Sequence, residues 1–222
     1  MASFFSDDQL RSLKTQKVTP SFGPPFSTIV ADPPWPYKTK GPVGNGGRGK
    51  HFLKKRTQVR LNNHYGVLSI PQLCSMSVKD LAAKNSHLYL WVTNNFIAEG
   101  LAIVTAWGFT LKTIITWGKV CDDRPGTPSM RTGFYYRGAT EHCLFAVRGK
   151  LRLSAGKPES NLHLLPRLSH SVKPDYFYEL IMRNSPGPYL EIFARRPRKG
   201  WDYFGNEVNS TVQIKIPKPN DL

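Results

Sequence analysis

The sequence predicts an α/β fold with a mostly parallel sheet and helices on both faces. Short apolar runs alternate along the chain with segments of helical spacing, which is the pattern of strands joined by crossover helices. Several runs are continuously apolar, as in strands that are covered on both faces. With 222 residues, of which 40% are hydrophobic, the chain is long enough for one domain with a sizeable core.

The first half of the chain contains two predicted strands and two predicted helices. Residues 1–26 form a polar lead-in with one short helix, Asp7 to Lys14. Thr28 to Ala31 is a buried strand, and it stops because the prolines after it lack the N–H that a ladder needs. A helix begins at Ser69, with a proline in its first turn. His87 to Thr93 is a continuous apolar run and is therefore predicted as a second strand.

The second half alternates helices and strands. Ile97 to Trp107 has helical apolar spacing and ends before a glycine, a residue that often follows a helix C-terminus. Phe109 to Trp117 alternates as a strand, and His142 to Val147 is a further apolar strand. Pro174 to Arg183 is predicted to be a helix because proline and aspartate are typical of a first turn. Tyr189 to Ala194 is the last predicted strand.

The remaining segments carry no regular pattern. Residues 36–66 and 119–138 are predicted to be loops at the active site and nucleic-acid surface, since both are rich in glycine, proline and basic side chains. Arg152 to Pro166 shows no clear periodicity, and residues 208–222 are predicted to be a C-terminal tail. We therefore predict a single domain over residues 1–222.

The chain is strongly basic. It contains 31 Lys and Arg against 15 Asp and Glu, for a formal net charge of +16. Such a surplus is typical of proteins that bind a polyanion, although a basic surface that only aids solubility is the alternative. No acidic residue lies between Asp32 and Asp80, where nine Lys or Arg occur. We expect the glycine-rich part, Lys38 to Arg60, to be mobile alone and to close over a nucleic-acid backbone.

Cysteine spacing and hydropathy argue against several classes of protein. Cys74, Cys121 and Cys143 are scattered without metal-ligand spacing, so we expect no structural zinc and a reducing compartment. The N-terminus lacks the apolar core of a secretory signal, and no apolar stretch approaches membrane-spanning length. No metal and no membrane partner are predicted.

The most informative motif is Asp32-Pro33-Pro34-Trp35, which follows the first predicted strand. Open α/β sheets bind ligands at the carboxyl ends of their strands. The motif offers a carboxylate, backbone carbonyls held by prolines and a large aromatic face, which together suit an amino group on a nucleobase. Turn chemistry beside a core tryptophan is the alternative interpretation.

An ordered set of segments resembles the MT-A70 adenine N6-methyltransferases, which use S-adenosylmethionine. The similarity runs from about Ser27 to Glu207. The matching segments are Ala31–Trp35, His64–Tyr65, Leu88–Asn94, Gly108–Phe109, Trp117–Lys119, Arg137–His142, Ser169–Asp175, Leu190–Arg195, Gly200–Trp201 and Gly205–Glu207. The resemblance implies a Rossmann-like methyltransferase fold in permuted order, with the catalytic motif early and much of the cofactor site late. The chain agrees, because it has no early Gly-x-Gly turn.

The resemblance also implies roles for individual residues. Asp32 and the Pro33 carbonyl would accept hydrogen bonds from the adenine amino group, Pro34 completes the motif, and Trp35 and Tyr37 would bound the ring. The implied cofactor-binding residues are Asp32, Lys173, Phe193, Arg195, Asn206 and Glu207. Residues predicted to contact the substrate are Tyr37, Lys38, Lys54, Lys55, Arg56, His64 and Tyr65. The neighbouring Glu141, His142 and Glu191 could be either supporting or purely structural.

These observations predict an enzyme that methylates adenine N6 in DNA, with the target base flipped into the pocket. DNA is favoured because no zinc-finger pattern accompanies the domain and its own basic loops can hold a duplex. The same reaction on RNA is the closest alternative, and a non-catalytic nucleic-acid-binding subunit is an alternative of another class. We expect a monomer or homodimer of bacterial or phage type, in the cytoplasm and associated with the nucleoid.

Overall fold

Seven strands form one sheet in the computed structural model, which describes residues 23–37, 67–131, 135–154, 159–167 and 172–217. The strands are β1 Phe26–Ala31, β2 Ala82–Val92, β3 Thr110–Val120, β4 Thr140–Arg148, β5 Leu162–Pro166, β6 Tyr189–Ile192 and β7 Trp201–Phe204. Their order in the sheet is β5-β3-β4-β2-β1-β6-β7. Strand β4 pairs antiparallel with both its neighbours, and the other pairs are parallel. The predicted mostly parallel sheet is confirmed.

Four helices are described, together with a 3-10 turn at Asn94–Phe96. The helices are α1 Ile70–Cys74, α2 Val78–Leu81, α3 Ile97–Ala106 and α4 Asp175–Asn184. Helix α1 begins at a capping box, in which the side chains of Ser69 and Gln72 each accept a hydrogen bond from the other's backbone N–H. The predicted helix start at Ser69 is therefore the N-cap of this helix. Helices α3 and α4 contribute to two separate core clusters, one on each face of the sheet.

Strand β2 shows why its sequence is continuously apolar. Leu88 and Leu90 belong to the core cluster beneath α3, whereas Tyr89 and Trp91 belong to the cluster beneath α4. Successive side chains of a strand point to opposite faces, so a strand covered on both faces needs apolar residues at every position. The strand is longer than predicted, because it begins at Ala82.

The stretch from Arg152 to Pro166, which shows no clear periodicity in sequence, contains a strand that was not predicted in its last five residues. Leu162–Pro166 is the edge strand β5, which pairs in parallel with β3. On this strand His163 is buried, while Leu162 and Leu164 are exposed. The apolar pattern is thus inverted relative to an ordinary half-buried strand, and periodicity alone could not reveal it.

Other boundaries moved as well. Strand β3 extends through Lys119 and Val120 into the segment that was predicted to be a loop. The last predicted strand ends at Ile192, since Phe193 takes a left-handed φ of 68°, and Trp201–Phe204 adds a strand that was not predicted.

Several predictions fall on residues outside the described ranges. These are the helix Asp7 to Lys14, the loop Lys38 to Arg60 and the substrate residues Lys38, Lys54, Lys55, Arg56, His64 and Tyr65. In the segment predicted to be a tail, Val212 and Ile214 are buried in the core beneath α3. None of the helices in the described ranges has the length and apolar character needed to cross a membrane.

Candidate active site

The carboxyl ends of β1 and β3 and the amino end of β4 meet at one edge of the sheet. Asp32 follows β1 directly, and Lys119 lies near the end of β3. Because β4 runs in reverse, Glu141 near its start is paired with Trp117 of β3. The period of two places Lys119 and Glu141 on the same sheet face as Trp117. Asp32, Lys119 and Glu141 therefore come together at this edge of the sheet, next to the ring of Trp117.

Lys173, which precedes helix α4, connects these residues. Its Nζ lies 2.6 Å from Asp32 Oδ2 and 3.3 Å from Glu141 Oε2, and 5.1 Å from the centre of the Trp91 ring. Lys119 donates to the other oxygen of Glu141. We call this row of alternating charges, Lys119–Glu141–Lys173–Asp32, the charge chain. It brings together residues that are up to 141 positions apart in sequence.

The charges of the two central residues stabilise each other. Burial by itself would lower the pKa of Lys173, but the nearby carboxylates of Asp32 and Glu141 outweigh burial and raise it. Burial would likewise raise the pKa of Glu141, yet Lys173 and Lys119 lower it below its usual value. Lys173 is therefore a cation and Glu141 an anion at neutral pH. For Lys119, burial dominates and lowers its pKa, although Glu141 opposes this.

The backbone of the Asp-Pro-Pro-Trp segment turns sharply out of the sheet. The Asp32 N–H still donates to Ile192 O of β6, at 3.4 Å. The Pro33 carbonyl then accepts the Trp35 N–H at 2.9 Å, so one of its two lone pairs is already used. No other backbone group of the described residues donates to this oxygen, so its second lone pair is available to a further donor. Asp32 is thus held between the end of β1 and this turn.

Trp35 is a core residue in the described structure. Its side chain is 6% exposed, its Nε1 donates to Trp91 O at 3.2 Å, and its ring stacks on Phe96 at 5.1 Å between centroids. The nearby Tyr37 is 47% exposed and donates its hydroxyl hydrogen to Thr93 at 2.9 Å. Trp35 therefore anchors the motif, and Tyr37 has the more open ring. Neither arrangement tests the predicted contact with a base.

Four of the predicted cofactor residues follow β6 and β7, and β6 is the neighbour of β1 in the sheet. Phe193 is buried, Arg195 and Asn206 are half-buried, and Glu207 is exposed. A Cβ on Gly205 would lie 2.1 Å from Ala194 O, so only glycine permits the close approach of these two strand ends. This approach places Asn206 beside the segment that carries Phe193.

The residues present fit the methionine end of S-adenosylmethionine. That end carries a carboxylate, and the buried ammonium of Lys173 at the carboxyl edge of the sheet has the charge to bind it. Among the described residues, no group of three or more His, Cys, Asp or Glu side chains could hold a metal ion.

Sequence reasoning gave no role to Lys119 and left Glu141 undecided. A usable signal was present, because Trp117-x-Lys119 and Glu141-x-Cys143 each place a charge on the face of a buried residue in a strand. His142 points to the opposite face, where its ring nitrogens lie 2.6 Å from Asn94 Oδ1 and 3.1 Å from Thr116 Oγ1. His142 therefore lies on the face of the sheet opposite the charge chain.

Glu191 of β6 also lies close to the site. It accepts a hydrogen bond of 2.6 Å from the Tyr178 hydroxyl, and Arg198 stacks over the Tyr178 ring at 3.5 Å. Burial raises the pKa of Glu191, although this hydrogen bond opposes the shift. These contacts hold Glu191 near Asp32, whose charge also raises the pKa of Glu191.

A seven-stranded, mostly parallel sheet with one reversed strand and an Asp-Pro-Pro-Trp turn after β1 defines a Rossmann-like methyltransferase domain. The MT-A70 family model matches residues 26–207, and the chain belongs to this family. S-adenosylmethionine is the cofactor of these adenine N6-methyltransferases, so the predicted family, fold and cofactor are confirmed.

Characterised relatives cover the domain to different extents. The Type II methyltransferase M.MunI of Mycoplasma sp is 26% identical over 89% of this chain and 83% of its own length. The human N(6)-adenosine-methyltransferase catalytic subunit METTL3 is 26% identical over 83% of this chain but only 28% of its own length. The human N(6)-adenine-specific methyltransferase METTL4 is 29% identical over 82% of this chain and 37% of its own length.

Proposed function

We propose that this protein transfers a methyl group from S-adenosylmethionine to the N6 atom of adenine in DNA. The observation that carries the proposal is Asp32, held by Lys173 at 2.6 Å where the first strand ends. The net charge of +16 supports a polyanionic substrate. The match with a Type II methyltransferase over most of both chains supports DNA.

The chemistry explains the residue types in this position. The amino nitrogen of adenine is a poor nucleophile, because its lone pair is delocalised into the ring. Asp32 and the free lone pair of the Pro33 carbonyl accept the two amino hydrogens and orient the nitrogen toward the electrophile. When bound, S-adenosylmethionine supplies a methyl group on a sulfonium. As the bond from nitrogen to the methyl carbon forms, the bond from that carbon to sulfur would break, and its electron pair would stay on sulfur, leaving a neutral thioether. The nitrogen then loses one proton, which Asp32 takes or passes to water.

The other site residues hold the two substrates. Lys173 binds the carboxylate end of the cofactor and Asn206 its ribose, with Phe193, Arg195 and Glu207 around it. The target adenine leaves the duplex and enters beside Tyr37 and the edge of Trp35. On this proposal the protein works at the nucleoid of a bacterial or phage-infected cell, as a monomer or a homodimer.

Methyl transfer from labelled S-adenosylmethionine to matched DNA and RNA, followed by nucleoside mass spectrometry, tests the proposal. We expect N6-methyladenine in DNA, formed at a rate lower by about 100-fold or more when Asp32→Asn replaces the wild-type protein. The METTL3 relatives support RNA as the second candidate, so product in RNA alone would replace DNA as the substrate. Product in neither would favour a non-catalytic nucleic-acid-binding subunit.

A further inference from the structure

A second surface, on the β3–β5 side of the charge chain, combines basic and aromatic side chains that the catalytic site does not use. We call it the basic-aromatic rim and define it by Arg131, Tyr135, Tyr136, Arg137 and Arg167. The segment after β3 carries the first four residues, and Arg167 follows β5 directly.

The backbone places both ends of the rim beside the charge chain. Ser129 N–H donates to Lys119 O at 2.7 Å, and Arg131 N–H donates to Gly138 O at 3.0 Å. The register of β3 with β5 sets Leu165 opposite Lys119, two residues before Arg167. Arg131 and Arg167 are therefore anchored at the same edge of the sheet as Glu141.

The guanidinium groups of the rim add positive charge, which for Arg167 is offset only in part by the charge of Glu141. Among the residues the structure describes, neither Arg131 nor Arg167 makes an ion pair. The Nε of Arg167 is buried and lacks a hydrogen-bond partner. Burial, followed by the charge of Arg131, lowers the pKa of Arg167. Two like charges next to a buried, unpartnered donor favour an anion between them.

The aromatic side chains of the rim are almost fully exposed to solvent. Tyr135 and Tyr136 are 96% and 93% exposed, and Arg137 beside them is also exposed. Exposed aromatic rings next to cations are the arrangement with which proteins bind nucleic-acid strands, because bases stack on the rings while phosphates meet the charges. A free anion would not require the rings.

We propose that the basic-aromatic rim binds the nucleic-acid strand beside the target adenine, its guanidinium groups on a backbone phosphate and its tyrosine rings on neighbouring bases. The proposal rests on the proposed function only in taking a nucleic acid as the substrate. On this proposal the rim binds the strand without reading its sequence, whereas Asp32 acts on the flipped base.

Binding of a fluorescent single-stranded oligonucleotide, measured by anisotropy at several salt concentrations, tests the phosphate contacts. For Arg131→Gln/Arg167→Gln we expect weaker binding and a slope of log K against log salt that is smaller by about 1.4. The matched control is Lys112→Gln/Arg152→Gln, which removes two exposed charges from the opposite edge of the sheet. Equal affinity and slope for the two double variants would overturn the proposal.

A separate variant tests the stacking contacts, and it should fold as wild type does because both rings are exposed. Tyr135→Ala/Tyr136→Ala should weaken binding about tenfold or more with an unchanged salt slope, while Tyr135→Phe/Tyr136→Phe should bind like wild type. Wild-type affinity of the alanine variant would overturn the stacking role. An equal loss of affinity in the alanine and phenylalanine variants would overturn it as well.

Measurements of cofactor affinity and of methylated product distinguish failure of the rim proposal from failure of the proposed function. Each variant should bind S-adenosylmethionine as wild type does in calorimetry. If the arginine variant loses only cofactor binding, the guanidinium groups serve the cofactor and the proposal is wrong. If wild type binds nucleic acid through the rim but forms no N6-methyladenine, the proposed function fails and the rim assignment stands.

Discussion

At the scale of single residues, the charge chain decides how Asp32 is presented to a substrate. Moving a charge out of water costs several kcal/mol, and pairing offsets this cost only when the partners are close. Lys173 meets that condition, since it is 9% exposed and contacts both Asp32 and Glu141. The carboxylate of Asp32 is thus held in one orientation and remains partly exposed.

Asp32→Asn should lower kcat by about 100-fold or more, because a preorganised acceptor of the transition state is lost. The amide has nearly the same shape, so cofactor Kd should stay within a few-fold. Single-turnover kinetics with saturating cofactor measure the effect. The control is Asp80→Asn, an exposed acid of α2. Near-normal turnover of a folded Asp32→Asn protein would refute the proposed mechanism.

Lys173→Met should raise the Kd of S-adenosylmethionine at least tenfold, since a charged hydrogen bond is worth about 1.5–3 kcal/mol. Calorimetry without nucleic acid measures this Kd, and circular dichroism confirms that the variant is folded. Lys150→Met, at an exposed position, serves as the control. Normal cofactor binding together with lost nucleic-acid binding would mean that the two sites are exchanged.

Glu141 should make stability depend on pH in the acid range. Its pKa is lower in the folded protein than in the unfolded chain, so its contribution is present above about pH 4.3 and is lost as pH falls through the folded value. Denaturant unfolding between pH 3 and pH 7 should therefore show a smaller acid loss for Glu141→Gln than for wild type.

At pH 7, Glu141→Gln should cost about 3–5 kcal/mol, because Lys119 and Lys173 lose their shared anion. Glu179→Gln, at an exposed position of α4, should keep the wild-type pH profile. If Glu141→Gln loses as much stability between pH 7 and pH 3 as wild type does, other carboxylates cause the loss of stability in acid.

At the scale of elements, the site depends on how α3 packs against the sheet. The 3-10 turn before α3 carries Phe96, which supports Trp35, and the helix crosses β2 and β4 through Gly100. A Cβ on Gly100 would lie 2.6 Å from Val92 Cγ1 and 3.0 Å from Leu144 Cδ1. Glycine is required here for close packing of the helix on the sheet.

Gly100→Ala should therefore destabilise the protein, although alanine favours the helix. The gain in helix propensity is about 0.8–1 kcal/mol, whereas overpacking a core contact costs about 1–3 kcal/mol. Urea unfolding should show a net loss, with Ala102→Gly on the exposed face as the opposite control, losing about 1 kcal/mol from propensity alone. A more stable Gly100→Ala protein would contradict this packing.

At the scale of the whole molecule, the net charge of +16 should make nucleic-acid binding strongly dependent on salt. The triple variant Lys54→Ala/Lys55→Ala/Arg56→Ala should lower the slope of log K against log salt by about 2–3 on duplex DNA, with weaker binding to every sequence. Anisotropy titrations at several salt concentrations measure the slope.

The control for the triple variant removes three exposed lysines at the opposite edge of the sheet, Lys84, Lys112 and Lys150. If these side chains of the basic loop only aid solubility, affinity and slope will match wild type. The run from Arg195 to Lys199 would then be the better candidate for that grip.

Much of the architecture follows from the sequence because it depends on neighbouring residues. Continuous apolar runs identified β1, β2, β4 and β6, and turn chemistry placed Asp32-Pro33-Pro34-Trp35 after the first strand. The same local order of motifs was enough to recognise the MT-A70 family and its cofactor. Strand β5 was not predicted, because its exposed leucines reverse the usual pattern of apolar and polar residues.

The tertiary structure alone decided which charges meet. The reversal of β4 brings Glu141 to the carboxyl edge, and strand order then sets Lys173 between it and Asp32, 141 residues away. It also decided that Trp35 is buried against Phe96. Periodicity assigns a side chain to a face of its own element, but contacts between distant elements depend on strand direction and order, which no local pattern encodes.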